Sequence, residues 1–513
     1  MLKRFKENAV AVSIILIVLL VSFILFSMTG EKVAYNNGAG WDGVFYKEVA
    51  LNFSDKFING YDTYRIQRLL PFALINTIFN LLCLEKNDAN LMFAVQSMNF
   101  LVLLFGVVYY FKTVKLLKIS IPAMIIGFSA FFLNYPILKM MGYYPYLTDT
   151  FALVIAIIQF YLFIKKKTIA LIILSVIGAF CWPSLFVCGL LLALWPRTEI
   201  IVSKKLNITE SFVLKFCKVI AVFFIPTTFL LLYIFKRKFL LERFGETRYY
   251  NEFFLVVSLI CISLYVFGLL KYFNLPIIEN VKKLLFSFKI RNIIIFFILF
   301  TVVKSFVYLI SNGSALVTFS DMLVGRILTP PTVDPFVFLV SNFMYYGFIV
   351  IIMIYLWDKL FPIYLKYGYS FFGIIVLGLI MSLNTESRHL LSFIPFLFFP
   401  VLTVISESQI KKINFSFSMF FMLSSIILSR FWYKINVPGI EKAFIDPFEN
   451  HIGSYVAFPA QRYFMAQGPW MSHQMYLLFL VIFIISIIVL FLYFEKSKTL
   501  SKINSLITKL INK

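Results

Sequence analysis

The sequence predicts an all-α fold: a polytopic transmembrane helical bundle of about 12–14 spans. Three observations carry that expectation. Hydrophobic residues fill 61% of the 513 positions and charged residues only 14%, a balance foreign to soluble globular domains. Apolar runs reach, again and again, the ~20 residues that a bilayer crossing needs. Lysines and arginines gather in short clusters between those runs, as the positive-inside rule requires of cytoplasmic ends. The same scatter excludes a nucleic-acid partner, because the net charge of +23 builds no folded basic domain.

The chain reads as one integral membrane domain over 1–513. Its first element is a basic start (Lys3, Arg4, Lys6) followed by about twenty apolar residues with no clear small-x-small cleavage site, the pattern of an uncleaved signal anchor. Those cations hold the N-terminus in the cytoplasm, so the loop over 30–65 lies outside. Apolar runs at 66–84, 92–111 and 119–138 come next. Three full crossings there would reverse the sidedness of every later lysine cluster, so one of them is expected to be incomplete. The candidates are 66–84, with Pro71, Asn76 and Asn80, and 119–138, with Pro122 and Pro136.

Later crossings are expected at 148–164, in a hairpin of short helices over 168–181 and 183–196, and at 215–235, 252–272, 292–311, 335–357, 368–384, 388–406, 413–432 and 475–494. Cytoplasmic ends then carry Lys165–Lys167, Lys204 and Lys205, Lys282, Lys283, Lys289 and Arg291, Lys359 and Lys366, and Lys411 and Lys412. Lys236–Lys238, with Arg243 and Arg248, is the exception and falls outside. The tail over 496–513 sets Leu500, Ile503, Leu506, Ile507, Leu510 and Ile511 on one helical face, and is expected to lie on the anionic cytoplasmic leaflet. The five cysteines fall in or beside apolar runs without metal-ligand spacing and are expected to be buried apolar residues.

With this threading the polar groups collect outside. That face receives the 30–65 loop, the Gly142–Asp149 loop, the Trp182-Pro183 hairpin tip, 312–334 (Asp321, Arg326, Asp334), Thr385–His389 and the long late loop over 433–474. All three histidines, His389, His451 and His473, land there. Charge placed by such an apolar chain just beyond a bilayer usually serves a ligand or a reaction. A reaction on that face has no ATP to draw on and needs a substrate already activated, such as a lipid-linked sugar phosphate. It would use a carboxylate to take a proton from an acceptor hydroxyl and cations to hold the departing phosphate.

Asp42 is the candidate base, and Arg65, Arg68 and Arg388 are candidate phosphate holders, since a planar guanidinium grips phosphate oxygens in pairs. Trp41 and Tyr46 are candidate substrate contacts, or else interfacial belt aromatics. Lys304, inside the 292–311 run, either snorkels or faces phosphate. Asp42 and Asp149 could instead cap the helices that follow them, Arg65 and Arg68 could hold lipid headgroups, and Glu386 and Arg388 could simply pair with each other.

Trp41-Asp42-Gly43-Val44-Phe45-Tyr46, followed by Tyr64-Arg65-Ile66-Gln67-Arg68-Leu69-Leu70-Pro71, resembles the first external loop of bacterial glycosyltransferases of the GT-C superfamily. The resemblance rests on motifs in the first ~150 residues and on hydropathy pattern beyond them. It implies a GT-C-like bundle with a helical first external loop, a polyprenyl-phosphate-linked sugar donor, and Asp42 as the base. It gives Asp149 as the second acid, and Glu386-Ser387-Arg388-His389 resembles a recurring external turn of the same proteins. There is no Asp-x-Asp pair, which departs from the metal-using oligosaccharyltransferase pattern, and no large soluble C-terminal domain is expected.

The expected function is therefore transfer of a sugar from a polyprenyl-phosphate donor to a glycan, lipid or protein acceptor, with neither metal nor cofactor. The expected site faces outward from the bacterial inner membrane. A polysaccharide polymerase or ligase of the same face, using arginines of the 433–474 loop, is one alternative. A non-enzymatic transporter or flippase for a lipid-linked glycan is the other, although no internal repeat supports it.

Overall fold

The computed structural model of the chain describes residues 2–33, 36–40, 42–60, 63–203, 206–235, 252–312, 327, 334–407, 413–436, 471 and 473–511. Among these residues the structure is all-helical, with no strand. Four helical stretches are long and apolar enough to cross a membrane: Ala9–Thr29, Asp88–Leu116, Ile290–Leu309 and Gln474–Phe494. Their outer flanks expose Ile15 (65%), Phe105 (63%) and Phe297 (60%), surfaces that suit lipid and not water. These features make the chain a membrane protein.

Both runs that were candidates for an incomplete crossing depart from a full straight span. The 66–84 run becomes a short 3-10 turn, Arg65–Arg68, and a helix, Leu70–Leu81, of 12 residues. That length covers only about 18 Å. The 119–138 run breaks after Ile121–Phe132 and resumes as Pro136–Tyr143 at an angle of 41°. Pro136 supplies no N–H, and Asn134 stitches the gap. Its Nδ2 donates to Ala130 O (2.7 Å) and its Oδ1 accepts from Ile137 N (3.3 Å).

Three expectations are corrected. The 335–357 run is not one continuous helix but two short ones, Val337–Tyr346 and Ile349–Tyr355, separated at Gly347. Gly347 adopts φ +74°, a left-handed conformation that ends the first helix, and its N–H returns to Phe343 O (2.7 Å). The amphipathic tail is no separate element, because one helix runs from His473 to Ile511. Of the cysteines, Cys83 is exposed beyond the end of Leu70–Leu81 and Cys217 is half-buried, while Cys181, Cys188 and Cys261 are buried.

The 30–65 loop contains two helices, Gly43–Leu51 and Phe53–Asn59. Buried Asn76 fixes it to the next helix by donating from Nδ2 to Ala50 O and Leu51 O, both at 2.9 Å. The 168–196 hairpin forms as Thr168–Ala179 packed on Pro183–Leu194. Its tip is tied to the start of the Leu70–Leu81 helix, where Leu70 N–H donates to Phe180 O (3.1 Å). Four stretches remote in sequence thereby meet: the first loop, the turn before Asp149, the hairpin tip and the segment around Arg388.

Candidate functional site

The site begins at Gly40, which sits at φ +66° with its Cα against the Tyr144 ring, where any side chain would overlap the phenol. Tyr144 Oη in turn accepts a hydrogen bond from Asp42 N (3.1 Å), so the 143–149 turn fixes the backbone that carries the candidate base. Asp42 precedes the Gly43–Leu51 helix but makes no side-chain capping bond. Its carboxylate turns instead to Arg65 Nη2 (3.4 Å) and Arg388 Nη2 (4.0 Å). The capping alternative therefore does not describe Asp42.

The Arg65–Arg68 turn is 3-10, a geometry in which residues three apart stand on the same side. Arg65 lies over the Phe45 ring, 3.5 Å from its centroid. Arg68, only 1% exposed, lies between aromatic faces, 4.6 Å from the Tyr64 ring centroid and 4.1 Å from that of Trp182. Its Nη2 donates to Tyr64 Oη (2.7 Å), while Nε and Nη1 are buried with no hydrogen-bond partner. Among the described residues no carboxylate pairs with it.

Asp149 is the first residue of the Asp149–Ile164 helix, and neither of its buried carboxylate oxygens accepts a hydrogen bond, so it caps nothing. It faces Arg388 Nε at 3.6 Å. Arg388 belongs to the 3-10 turn Ser387–Leu390. That stretch is held by Asn342 Nδ2 on Ser382 O (2.9 Å), Ser341 Oγ on Thr385 O (2.7 Å) and Tyr346 Oη on Ser387 O (2.7 Å). Glu386 pairs with Arg388 at 3.5 Å and with His389 Nε2 at 3.4 Å.

One guanidinium thus stands among three carboxylates, those of Asp42, Asp149 and Glu386. Burial alone would push Arg388 down. The carboxylates of Asp149 and Glu386 outweigh it and hold the group well above its ordinary value, so the charge is permanent. Accessibility is graded across the cluster. The Asp42 side chain is 29% exposed, whereas those of Asp149 and Glu386 are 8% exposed, so Asp42 is the most accessible of the three carboxylates. Among the described residues no group of three or more His, Cys, Asp or Glu side chains is disposed to hold a metal.

Most of the residues singled out in the sequence meet here: Asp42, Arg65, Arg68, Asp149, Glu386, Arg388 and His389. Tyr46 lies beside them but is fully buried, stacked on Phe72 at 4.9 Å. Lys304 does not join the cluster. Its Nζ reaches Gln67 Oε1 (3.2 Å) and the Phe300 ring, and it touches none of Asp42, Asp149 and Arg388. Trp41, Asp321, Arg326, His451 and most of the 433–474 loop lie outside the described residues.

Sequence reasoning placed Trp182 at an external hairpin tip but gave it no part in the site. The structure sets its ring 4.1 Å from the Arg68 guanidinium carbon, 5.8 Å from that of Arg388 and 5.8 Å from the His389 ring. The one available signal was its place just ahead of Pro183, which starts a helix and so fixes where the hairpin turns. Set against protein-family models, curated proteins and solved structures, the chain matches none of them.

Proposed function

We propose that this chain is a membrane glycosyltransferase that moves a sugar from a polyprenyl-phosphate-linked donor to an acceptor hydroxyl at the outer face of the bacterial inner membrane. One observation carries the reading: acids from three remote segments converge on Arg388, and beside them the buried Arg68 keeps Nε and Nη1 without a hydrogen-bond partner. Burying charge costs several kcal/mol per ion, of order, unless it is compensated, and a phosphate would compensate Arg68. Next to the site lies an apolar cavity of about 350 Å³, lined by residues that include Leu339, Val350, Leu379, Leu390 and Ile394. Leu390 follows Arg388 by two positions, so a phosphate on the arginines would have its isoprenoid chain beside apolar surface.

In this mechanism Asp42, the accessible carboxylate, accepts the proton of the acceptor hydroxyl. The hydroxyl oxygen forms a bond to the anomeric carbon while the bond from that carbon to the phosphate oxygen breaks. The electron pair leaves with the polyprenyl phosphate, whose added negative charge the Arg68 and Arg388 guanidiniums meet. Arg65, 3.4 Å from Asp42 Oδ1, orients that carboxylate. Asp149 and Glu386 hold Arg388 in place and balance its charge before the donor arrives.

The test is Asp42→Asn in purified, membrane-reconstituted protein, assayed by release of polyprenyl phosphate from a panel of polyprenyl-phosphate sugars. The variant is expected to insert normally and to release none. Wild-type release from that variant would remove the base assignment and the mechanism with it.

A further inference from the structure

Beyond the acids and arginines, the site contains an aromatic plate that the proposed chemistry leaves without a task. Trp182 is 2% exposed, at the tip of the hairpin between Thr168–Ala179 and Pro183–Leu194. Its ring lies within ~6 Å of both buried guanidinium carbons, the range over which an aromatic face attracts a cation. Two like charges so placed repel, and their surroundings treat them differently. Arg388 has three carboxylates about it. Arg68 has none within ion-pair distance among the described residues, and the Asp42 and Asp149 charges act on it only from further off. Its near contacts include the rings of Tyr64 and Trp182 and one hydrogen bond to Tyr64 Oη.

Tyr64 belongs to the same turn as Arg68 and moves with it. Trp182 comes from a different helix pair and also contacts the His389 ring, next to Arg388. It therefore links Arg68 to the turn bearing Arg388. A hydrocarbon there would fill the volume but offer no negative face, and the Arg68 head would lose the element that holds it with Nε and Nη1 unpaired.

We propose that Trp182 is a positioning residue that holds the Arg68 guanidinium beside Arg388 so that both bind the phosphate of the lipid-linked substrate. The inference rests on the reading of the site as a lipid-phosphate site. It adds that recognition of the phosphate depends on an aromatic face from the hairpin, a residue that itself touches neither sugar nor acceptor.

The experiment compares binding of polyprenyl phosphate with binding of the corresponding polyprenol, by thermophoresis of the full chain in lipid nanodiscs. The ratio of the two affinities is insensitive to the fraction of protein that is correctly inserted. Wild type is expected to prefer the phosphate, and Arg68→Gln to lose that preference. Trp182→Leu is expected to reduce it roughly tenfold, and Trp182→Phe to restore most of it, because the ring face returns. Trp182→Met takes the place of Trp182→Leu should the latter fail to insert. A full preference in the aliphatic variants, with Arg68→Gln still impaired, overturns the role of Trp182 and leaves the arginine assignment standing. No preference for the phosphate in wild type overturns both.

Discussion

Arg388 Nε lies 3.6 Å from Asp149 Oδ1, and neither atom has a hydrogen-bond partner although both are buried. The two charges face each other at a separation longer than the 2.7–2.9 Å or so of a close charge-assisted bond. An arrangement of this kind keeps the guanidinium in place without using up its donors. Removing the cation strands three carboxylates. Arg388→Gln is therefore expected to abolish transfer and to cost roughly 3–5 kcal/mol of stability, measured by thermal unfolding in detergent. Arg388→Gln combined with Asp149→Asn should recover part of that stability and none of the activity. Full activity in either variant would show that Arg388 does not serve the donor phosphate.

Gly40 and Tyr144 form the seat of Asp42. A side chain at Gly40 would have to adopt φ +66° and displace the ring whose hydroxyl accepts from Asp42 N. The backbone term alone is worth about 1–2 kcal/mol. Gly40→Ala is expected to lower turnover at least tenfold while leaving the rest of the bundle folded. Tyr144→Phe, which removes only the hydrogen bond, is expected to have a smaller effect of the same sign, and steady-state kinetics would rank the two.

Glu31 closes a second polar junction away from the candidate site. Its carboxylate accepts from Lys139 Nζ (2.9 Å), Ile435 N (2.6 Å) and Asn436 N (2.9 Å), joining the end of the first helix to the start of the late loop. The side chains of Lys139 and Glu31 are 6% and 15% exposed. Glu31→Gln leaves the lysine without its counter-charge and turns an amide toward backbone donors. A loss of about 3–5 kcal/mol is expected, with partial recovery on adding Lys139→Met. Unchanged melting of the single variant would show the junction to be dispensable.

Lys32 supplies a pH dependence. Burial, followed by the nearby Lys139 charge, pushes its ammonium from 10.5 down to about 8 against the opposing pull of Glu31. Between those values the unfolded chain binds the proton on this lysine and the folded chain does not. Stability from this group is therefore lowest below pH 8 and rises with pH through the window up to 10.5. Thermal unfolding followed from pH 7.5 to about 10 should show that rise in wild type and a flatter profile in Lys32→Met. Identical slopes in the two proteins would contradict the assignment.

The amino-acid sequence by itself determined the medium and two of the breaks. Long runs of Ile, Leu and Phe have no stable place except lipid or a helical core, and backbone groups in lipid must satisfy one another, so all-helical structure follows from composition. The kink before Pro136 and the short helix with Pro71 in its first turn were legible because proline and asparagine act on their own backbone. The break at Gly347 was not, since a glycine inside an apolar run gives no sign of the φ it will adopt. The polar side chains around 42–68, 149 and 386–389 could be named for the same local reason: charge next to a membrane is costly and so stands out.

Only the tertiary structure decided which of those charges meet. Asp42, Asp149 and Arg388 come together because the hairpin and the broken helices pack so, while Lys304, equally conspicuous in sequence, ends beside Gln67. Trp182 shows the limit most clearly. A tryptophan among six in an aromatic-rich chain carries no mark of function, and it becomes informative only where folding lays it within reach of two buried guanidiniums. Hydropathy is a property of each segment alone; the pairing of charges depends on distances between segments, and those are set by packing.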